Sequence, residues 1–217
     1  MVLLIAVSGK LGSGKDYIAE NILCPLLGPD VAISRMAFAD QIKVNVASRN
    51  DNVQLEQCLV GNKSPELRRL LQLEGTESGR DLYGPDIWVK TLETWIKLRK
   101  IRGDRLDVVL VTDCRFPNEA QWILDNGGLL IRTLAPQRNE FALQQESGGN
   151  PEIYANIATH RSETALDGFN FQYVVHNDPQ DDATSQVQNV VRSYLSNHLD
   201  QSHLFNNLPG YVLRAHS

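Results

Sequence analysis

Short apolar runs and amphipathic stretches alternate along the chain, in the pattern of βα units around a parallel sheet. The runs predict strands at Val2–Val7, Val31–Phe38, Val108–Thr112, Leu129–Leu134 and Tyr173–Val175. Helical spacing follows at about Lys15–Leu23, Ala39–Ser48, Pro65–Gly75, Asp86–Arg99, Pro117–Asn126 and Ser185–Leu195. Gly127-Gly128 closes one helix before the next strand, as a left-handed cap does. Two regions break the rhythm. Gln137–Ala158 is polar and holds Gly148-Gly149-Asn150-Pro151, the composition of a mobile flap. After Leu195 the residues Leu199, Leu204, Phe205, Leu208 and Val212 follow no clear period; this tail could pack as an extra helix, mediate an oligomer contact such as a homodimer, or be partly disordered.

Composition narrows the class. With 217 residues, 42% hydrophobic and 22% charged, the chain suits one domain over residues 1–197, with residues 198–217 as a tail of open role. No apolar run approaches the roughly 20 residues needed to span a bilayer. The opening Met-Val-Leu-Leu-Ile-Ala-Val run ends at Ser8-Gly9 and reads as a buried strand rather than a signal peptide. Three scattered cysteines, Cys24, Cys58 and Cys114, fit a reducing, cytoplasmic setting without a disulfide framework. A net charge of −5 argues against a nucleic-acid coat protein.

The sharpest chemical signal is Gly9-Lys10-Leu11-Gly12-Ser13-Gly14-Lys15, directly after the first strand and before a helix. Glycines let the backbone turn tightly and aim several N–H groups at one anion. The following helix adds unpaired N–H groups and the positive end of its dipole. Lys15 brings a point charge to the β- and γ-phosphates of a nucleotide. The bland alternative is a glycine-rich turn with an exposed lysine. Asp16 stands where a Ser or Thr usually ligates Mg²⁺. Its carboxylate could hold the metal, through a water, or favour the helix's first turn.

Val108–Thr112 ends in Asp113, and ligands of open α/β sheets bind at the carboxyl ends of strands. Asp113 is therefore a candidate for holding Mg²⁺ or its waters, and Arg115 for gripping a phosphate bidentately. The pair could instead close the turn, with Asp113 as a helix cap. Between these strands Arg68 and Gln72 lie one turn apart on a predicted helix, and share a face that could take a phosphate or remain solvated. Trp88 reads as core, and His160 as a helix cap. Arg132, Arg138 and Arg161 flank the flap, either as lid arginines or as surface charge.

Together these residues resemble the phage-type deoxynucleoside monophosphate kinases. The matching pieces are Ser8-Gly9…Ser13-Gly14-Lys15-Asp16, Phe38-Ala39-Asp40-Gln41-Ile42-Lys43, Arg68-Arg69-Leu70-Leu71-Gln72…Gly75-Thr76-Glu77, Trp88-Val89-Lys90, Val111-Thr112-Asp113-Cys114-Arg115 and His160…Ser162-Glu163. The resemblance runs from the first strand to about Leu195. It implies an α/β P-loop kinase fold, a five-stranded, mostly parallel sheet flanked by helices, with an acceptor-binding segment at about 39–100 and a lid at about 137–158. It implies transfer of the γ-phosphoryl group from ATP, with Mg²⁺, to a dNMP. By that resemblance Asp40, Lys43, Arg68, Gln72, Thr76, Arg80 and Arg115 would serve the acceptor, and Arg138 and Arg161 the lid.

Animal-type phosphomevalonate kinases share Ser-Gly-Lys-Asp, Thr112-Asp113-Cys114-Arg115 and Ser162-Glu163-Thr164-Ala165-Leu166-Asp167, and form the alternative. A phage kinase acting on a modified base in DNA is a third reading. A nucleotide-binding switch is the non-enzyme one. A guanine-reading Asn-Lys-x-Asp is not found; the nearest string, Asn62-Lys63-Ser64-Pro65, lacks the aspartate.

Overall fold

A computed structural model describes residues 2–59 and 63–210. In chain order its elements begin with β1 (Leu3–Gly9) and α1, which is α-helical over Lys15–Tyr17, π-wound over Ile18–Leu23 and α-helical again over Cys24–Leu26. Next come β2 (Ile33–Arg35), α2 (Asp40–Arg49), α3 (Leu55–Leu59) and α4 (Pro65–Gly75). The chain then winds as a π turn over Thr76–Arg80 and a short α turn over Asp81–Tyr83 before α5 (Ile87–Ile101). The remainder holds β3 (Val108–Val111), α6 (Pro117–Asp125), β4 (Leu129–Leu134), α7 (Pro136–Ser147), α8 (Pro151–Ala158), α9 (Arg161–Thr164), β5 (Tyr173–His176) and α10 (Ala183–Asn197). A 3₁₀ turn over Leu199–Leu204 follows.

Packing divides the chain into two compact units. One takes in the chain up to Arg35 and resumes at Leu106; the other is Met36–Arg105.

The first unit contains the whole sheet, in the order β2-β3-β1-β4-β5. Every pairing is parallel, so the expected five-stranded α/β sheet is present and is all-parallel rather than mostly so. The central strands are apolar at almost every position because both faces are covered. Leu3, Ile5 and Val7 of β1 join one cluster with Ile18, Ile22 and Leu23 of α1 and with Val187, Val191 and Leu195 of α10. On the opposite face Gly128 allows α6 to close in: a Cβ there would stand 2.8 Å from both Ile123 Cγ2 and the Leu4 carbonyl. Tyr194 adds a polar tie by donating its hydroxyl to the Gly127 carbonyl at 2.7 Å.

Two expectations take a more definite form here. The segment expected as a flap, Gln137–Ala158, lies in two helices, α7 and α8, separated by Gly148 and Gly149 at φ 58 and 78. Proline opens each, where a helix has no need of the missing N–H. β2 is also shorter than the apolar run suggested, since it pairs with β3 only over Ile33–Arg35. As for the tail, Leu204, Phe205 and Leu208 join the main core, and Asn207 donates to the carbonyls of Leu26 and Leu27. Val212 lies outside the described residues.

The second unit is helical, with a small core of Val46, Cys58 and Leu67. Ser64 caps α4 by accepting the Leu67 N–H at 3.2 Å. The serine of the Asn62–Pro65 string is thus a helix cap; Asn62 itself lies outside the described residues. Trp88 is buried and donates its indole N–H to the Gly75 carbonyl at 2.8 Å. Gly79 has no room for a side chain, as a Cβ would sit 2.3 Å from Trp88 Cζ2. Glu74, almost fully buried, accepts from Asn45 Nδ2 at 2.7 Å and Arg49 Nη1 at 2.8 Å.

Candidate phosphate-binding site

β1 ends at Gly9 and α1 starts at Lys15, so Lys10–Gly14 must reverse direction in five residues. Gly12 and Gly14 make this possible with φ of 75 and 77, a left-handed conformation that a side chain would strain. Gly12 also has a neighbour at very short range: a Cβ would lie 2.4 Å from Ala142 Cβ and 2.9 Å from the Arg138 carbonyl, both on α7. A Cβ on Gly14 would meet Asn177 Nδ2 at 2.2 Å. The loop is therefore packed from outside by the helix after β4 and the segment after β5.

Its backbone is held at both polar ends. Asn139 donates to the Leu11 carbonyl at 2.6 Å, and Asn177 donates to the Ser13 carbonyl at 2.9 Å. Glu163 accepts the Leu11 N–H at 2.8 Å. Lys10 pairs with Asp167 at 2.8 Å. Asp167 also faces Arg132 at 3.4 Å, and Arg132, 7% exposed, donates to Ser8 Oγ at 3.0 Å. Ser13 is fully buried, and its hydroxyl has no hydrogen-bond partner among the described residues.

Lys15 and Asp16 open α1, with Lys15 Nζ 3.5 Å from the Asp16 carboxylate. Arg35, at the end of β2, reaches Asp16 at 4.0 Å and also pairs with Glu20. Burial works to raise the Asp16 pKa, but the Lys15 charge, the Thr112 hydroxyl and the Arg35 charge together outweigh it and hold the carboxyl below its usual value. The Thr112 contact brings the C-terminal end of β3, and thus the stretch leading to Asp113, to the loop's helix.

Beyond Asp113 the chain turns into α6. Glu119 builds that turn from within, accepting the N–H groups of Arg115 and Phe116 at 2.8 and 3.1 Å. Arg115 Nη1 pairs with Glu163 and reaches Ser162 Oγ at 3.4 Å. Cys114 is fully buried; burial first, then the nearby carboxylates of Glu119 and Asp113, push its thiol pKa well up. Arg138 Nε donates to the Asn177 carbonyl at 2.5 Å, and Arg161 lies over the Phe116 ring at 5.8 Å. His160 caps α9, accepting the Ser162 N–H at 3.2 Å.

The second unit contains Asp40, Lys43, Arg68, Gln72, Thr76 and Arg80. Asp40 accepts the Ala37 N–H at 2.7 Å and pairs with Lys43 at 3.1 Å. Arg68 and Gln72 are both partly exposed on α4. Arg80 is buried and donates to the Gly75 carbonyl at 2.9 Å, an internal tie of this unit.

The sequence pattern did not single out Asn139, Asn177 or Asp178, and it placed Glu163 and Asp167 in a shared motif without a role. Asn177 and Asp178 follow β5 directly, and their place at the end of a parallel strand was a readable signal. Asn139 carried none.

The fold defines an α/β protein with a glycine-rich loop between its central strand and first helix. Over 108 residues the chain is 35% identical to the deoxynucleoside-5'-monophosphate kinase of Escherichia phage T5. The aligned stretch covers 48% of this chain and 41% of the phage protein, less than half of each. No family model matches. Among solved structures, TT1252 from Thermus thermophilus aligns over 90% of this chain and 97% of its own, at a TM-score of 0.45 and 14% identity.

Proposed function

We propose that the chain is a deoxynucleoside monophosphate kinase that transfers the γ-phosphoryl group of ATP to a dNMP, giving dNDP and ADP. The observation that carries the reading is the loop Gly9–Lys15, with two left-handed glycines ahead of Lys15 at the first turn of α1. This arrangement supports phosphate binding by backbone N–H groups and one ammonium. The likeness to the phage kinase supports a phosphorylated nucleoside as the acceptor.

Phosphoryl transfer asks mainly for positioning and charge neutralisation. Lys10, Leu11, Gly12, Ser13, Gly14 and Lys15 would hold the ATP phosphates, and Arg115 would offset charge on the transferring group. Arg138 and Arg161 would serve the lid formed by α7 and α8. Asp40, Lys43, Arg68, Gln72 and Thr76 would serve the acceptor. Arg80, by its internal tie, would act on them through the Gly75 turn. An acceptor phosphate is an anionic nucleophile near neutral pH, so the reading asks for no general base.

Mg²⁺ fits the residues present. Among the described residues no group of three or more His, Cys, Asp or Glu could cage a metal. One or two carboxylates are what Mg²⁺ takes from protein when phosphates and waters supply the rest, and Asp16 and Asp113 offer them. When bound, the ion would neutralise charge on the phosphates. Among the described residues no helix is long and apolar enough to cross a membrane, and Cys24, Cys58 and Cys114 are free thiols, which suits work in the cytoplasm.

The test is ADP release with Mg-ATP against the four common dNMPs, the matching rNMPs, phosphomevalonate and a DNA oligomer. Turnover with one or more dNMPs, lost in Lys15→Ala, is the expected result. Turnover only with phosphomevalonate or DNA would overturn the substrate. Acceptor-independent hydrolysis alone would make the chain a nucleotide switch.

A further inference from the structure

We propose that Glu163 is a positioning residue, which fixes the Arg115 guanidinium relative to the phosphate loop; this rests on the kinase reading above. Its two carboxylate oxygens take different partners. Oε2 accepts the Leu11 N–H at 2.8 Å, and Oε1 pairs with Arg115 Nη1. The carboxylate is 9% exposed, so water competes little for either oxygen.

The residue that bears it is also held. α9 starts at the His160 cap, and four residues beyond Glu163 the Asp167 carboxylate pairs with Lys10 at 2.8 Å. The turn from His160 to Asp167 thus grips two successive residues of the loop, one through a backbone N–H and one through an ammonium. Asp167 is 46% exposed at its side chain, so its pair with Lys10 is the weaker grip. Glu163 is the tighter of the two.

For Arg115 the consequence is orientation. Its described side-chain contacts, Glu163 and Ser162, both use Nη1. The guanidinium is held at one nitrogen, and among the described residues Nε and Nη2 make no hydrogen bond to protein. That is the fork a planar cation presents to a phosphate. A carboxylate anchored only to Arg115 would let this fork swing. Anchored to Leu11 as well, it ties the fork's direction to the loop that would hold the donor phosphates. A displacement of about 1 Å from productive geometry lowers rates about a hundredfold.

The experiment compares Glu163→Gln with wild type in acceptor-dependent ADP release, alone and in an Arg115→Lys background. A glutamine keeps the shape but has one accepting oxygen for two donors. Expected is a kcat lower by about ten- to a hundredfold, with the KM for ATP within about threefold and the melting temperature within a few degrees. In the Arg115→Lys background the same change should lower kcat less than twofold further, because the two residues act as one unit. A Glu163→Gln enzyme with kcat within twofold of wild type overturns the proposal. So does a loss that multiplies with that of Arg115→Lys, which would mark independent roles. Should wild type show no acceptor-dependent turnover, the kinase reading fails and this proposal falls with it. Wild-type turnover beside an unaffected Glu163→Gln rejects the proposal alone.

Discussion

Asn177 Nδ2 lies 2.9 Å from the Ser13 carbonyl oxygen, joining the segment after the last strand to the loop after the first. The contact is buried, and Asn177 is 6% exposed. Asn177→Ala leaves that carbonyl without its donor at a cost of about 1–3 kcal/mol. Thermal unfolding should show a fall of several degrees, and titration with ATP a weaker affinity. Asn177→Asp should be worse than alanine, since it sets a carboxylate against a carbonyl. An aspartate variant as stable as wild type would contradict this account.

Gly12 should tolerate no side chain. An alanine would have to hold φ of 75 and share space with Ala142 Cβ at 2.4 Å. The backbone strain alone costs about 1–2 kcal/mol, and overpacking against α7 about 1–3 more. Denaturant melts of Gly12→Ala should show the loss. Adding Ala142→Gly should recover only part of the packing share, since the Arg138 carbonyl stays at 2.9 Å, and leave the backbone strain.

Asp16 contributes stability with a definite pH dependence. Its folded pKa lies below the ordinary 3.8, so the stabilisation is fully present above that value and is lost as pH falls through the folded pKa. Denaturant melts of wild type and Asp16→Asn should therefore differ at neutral pH and converge at low pH. A gap that persisted unchanged to pH 2 would deny the carboxylate its charged partners.

Cys114 should resist thiol reagents in the native state. Its pKa is raised, first by burial, and it stays protonated at pH values where an ordinary thiol ionises. The folded form then holds a proton that the unfolded form releases, so this group's linkage lowers stability as pH rises past about 9. Cys58 is buried as well, and only Cys24 is partly exposed. Thiol titration at pH 8 should find at most one fast-reacting group in native protein, and three after denaturation.

Arg68 and Gln72 are predicted to act on the acceptor alone. Arg68→Ala should raise the KM for dNMP by about ten- to a hundredfold and leave the KM for ATP within about twofold. Initial-rate kinetics with each substrate varied in turn provide the check, and a parallel rise in both constants would refute the assignment.

Much of the fold was legible because its signals are local. Leu129–Leu134 and Pro65–Gly75 match the predicted ranges end for end, one an unbroken apolar run and the other opened by Ser64-Pro65 and closed near a glycine. α7 escaped for a physical reason. Ala135, its cap position, offers no side-chain acceptor; the first free N–H groups, on Gln137 and Arg138, go to Asp178 at 3.1 Å, from beyond β5. The helix is also mostly exposed and polar, so its periodicity is faint. The site divides the same way. Gly9, Gly12, Gly14 and Lys15 announce themselves within seven residues. Glu163, Asp167, Asn139 and Asn177 act on that loop from more than 120 positions away, where only the topology of the sheet brings them back.

That separation orders the birth of the protein. Ser13 of the glycine-rich loop is translated some 164 residues before its support Asn177. Translation proceeds at about 5–20 residues per second, so the loop waits on the order of ten seconds or more without its scaffold. A nascent chain stalled at residue 170 should then fail to retain ATP, while one long enough to free residue 210 from the exit tunnel should bind it. Support for the loop would thus arrive long after the loop itself is made, and ATP retention would report that arrival.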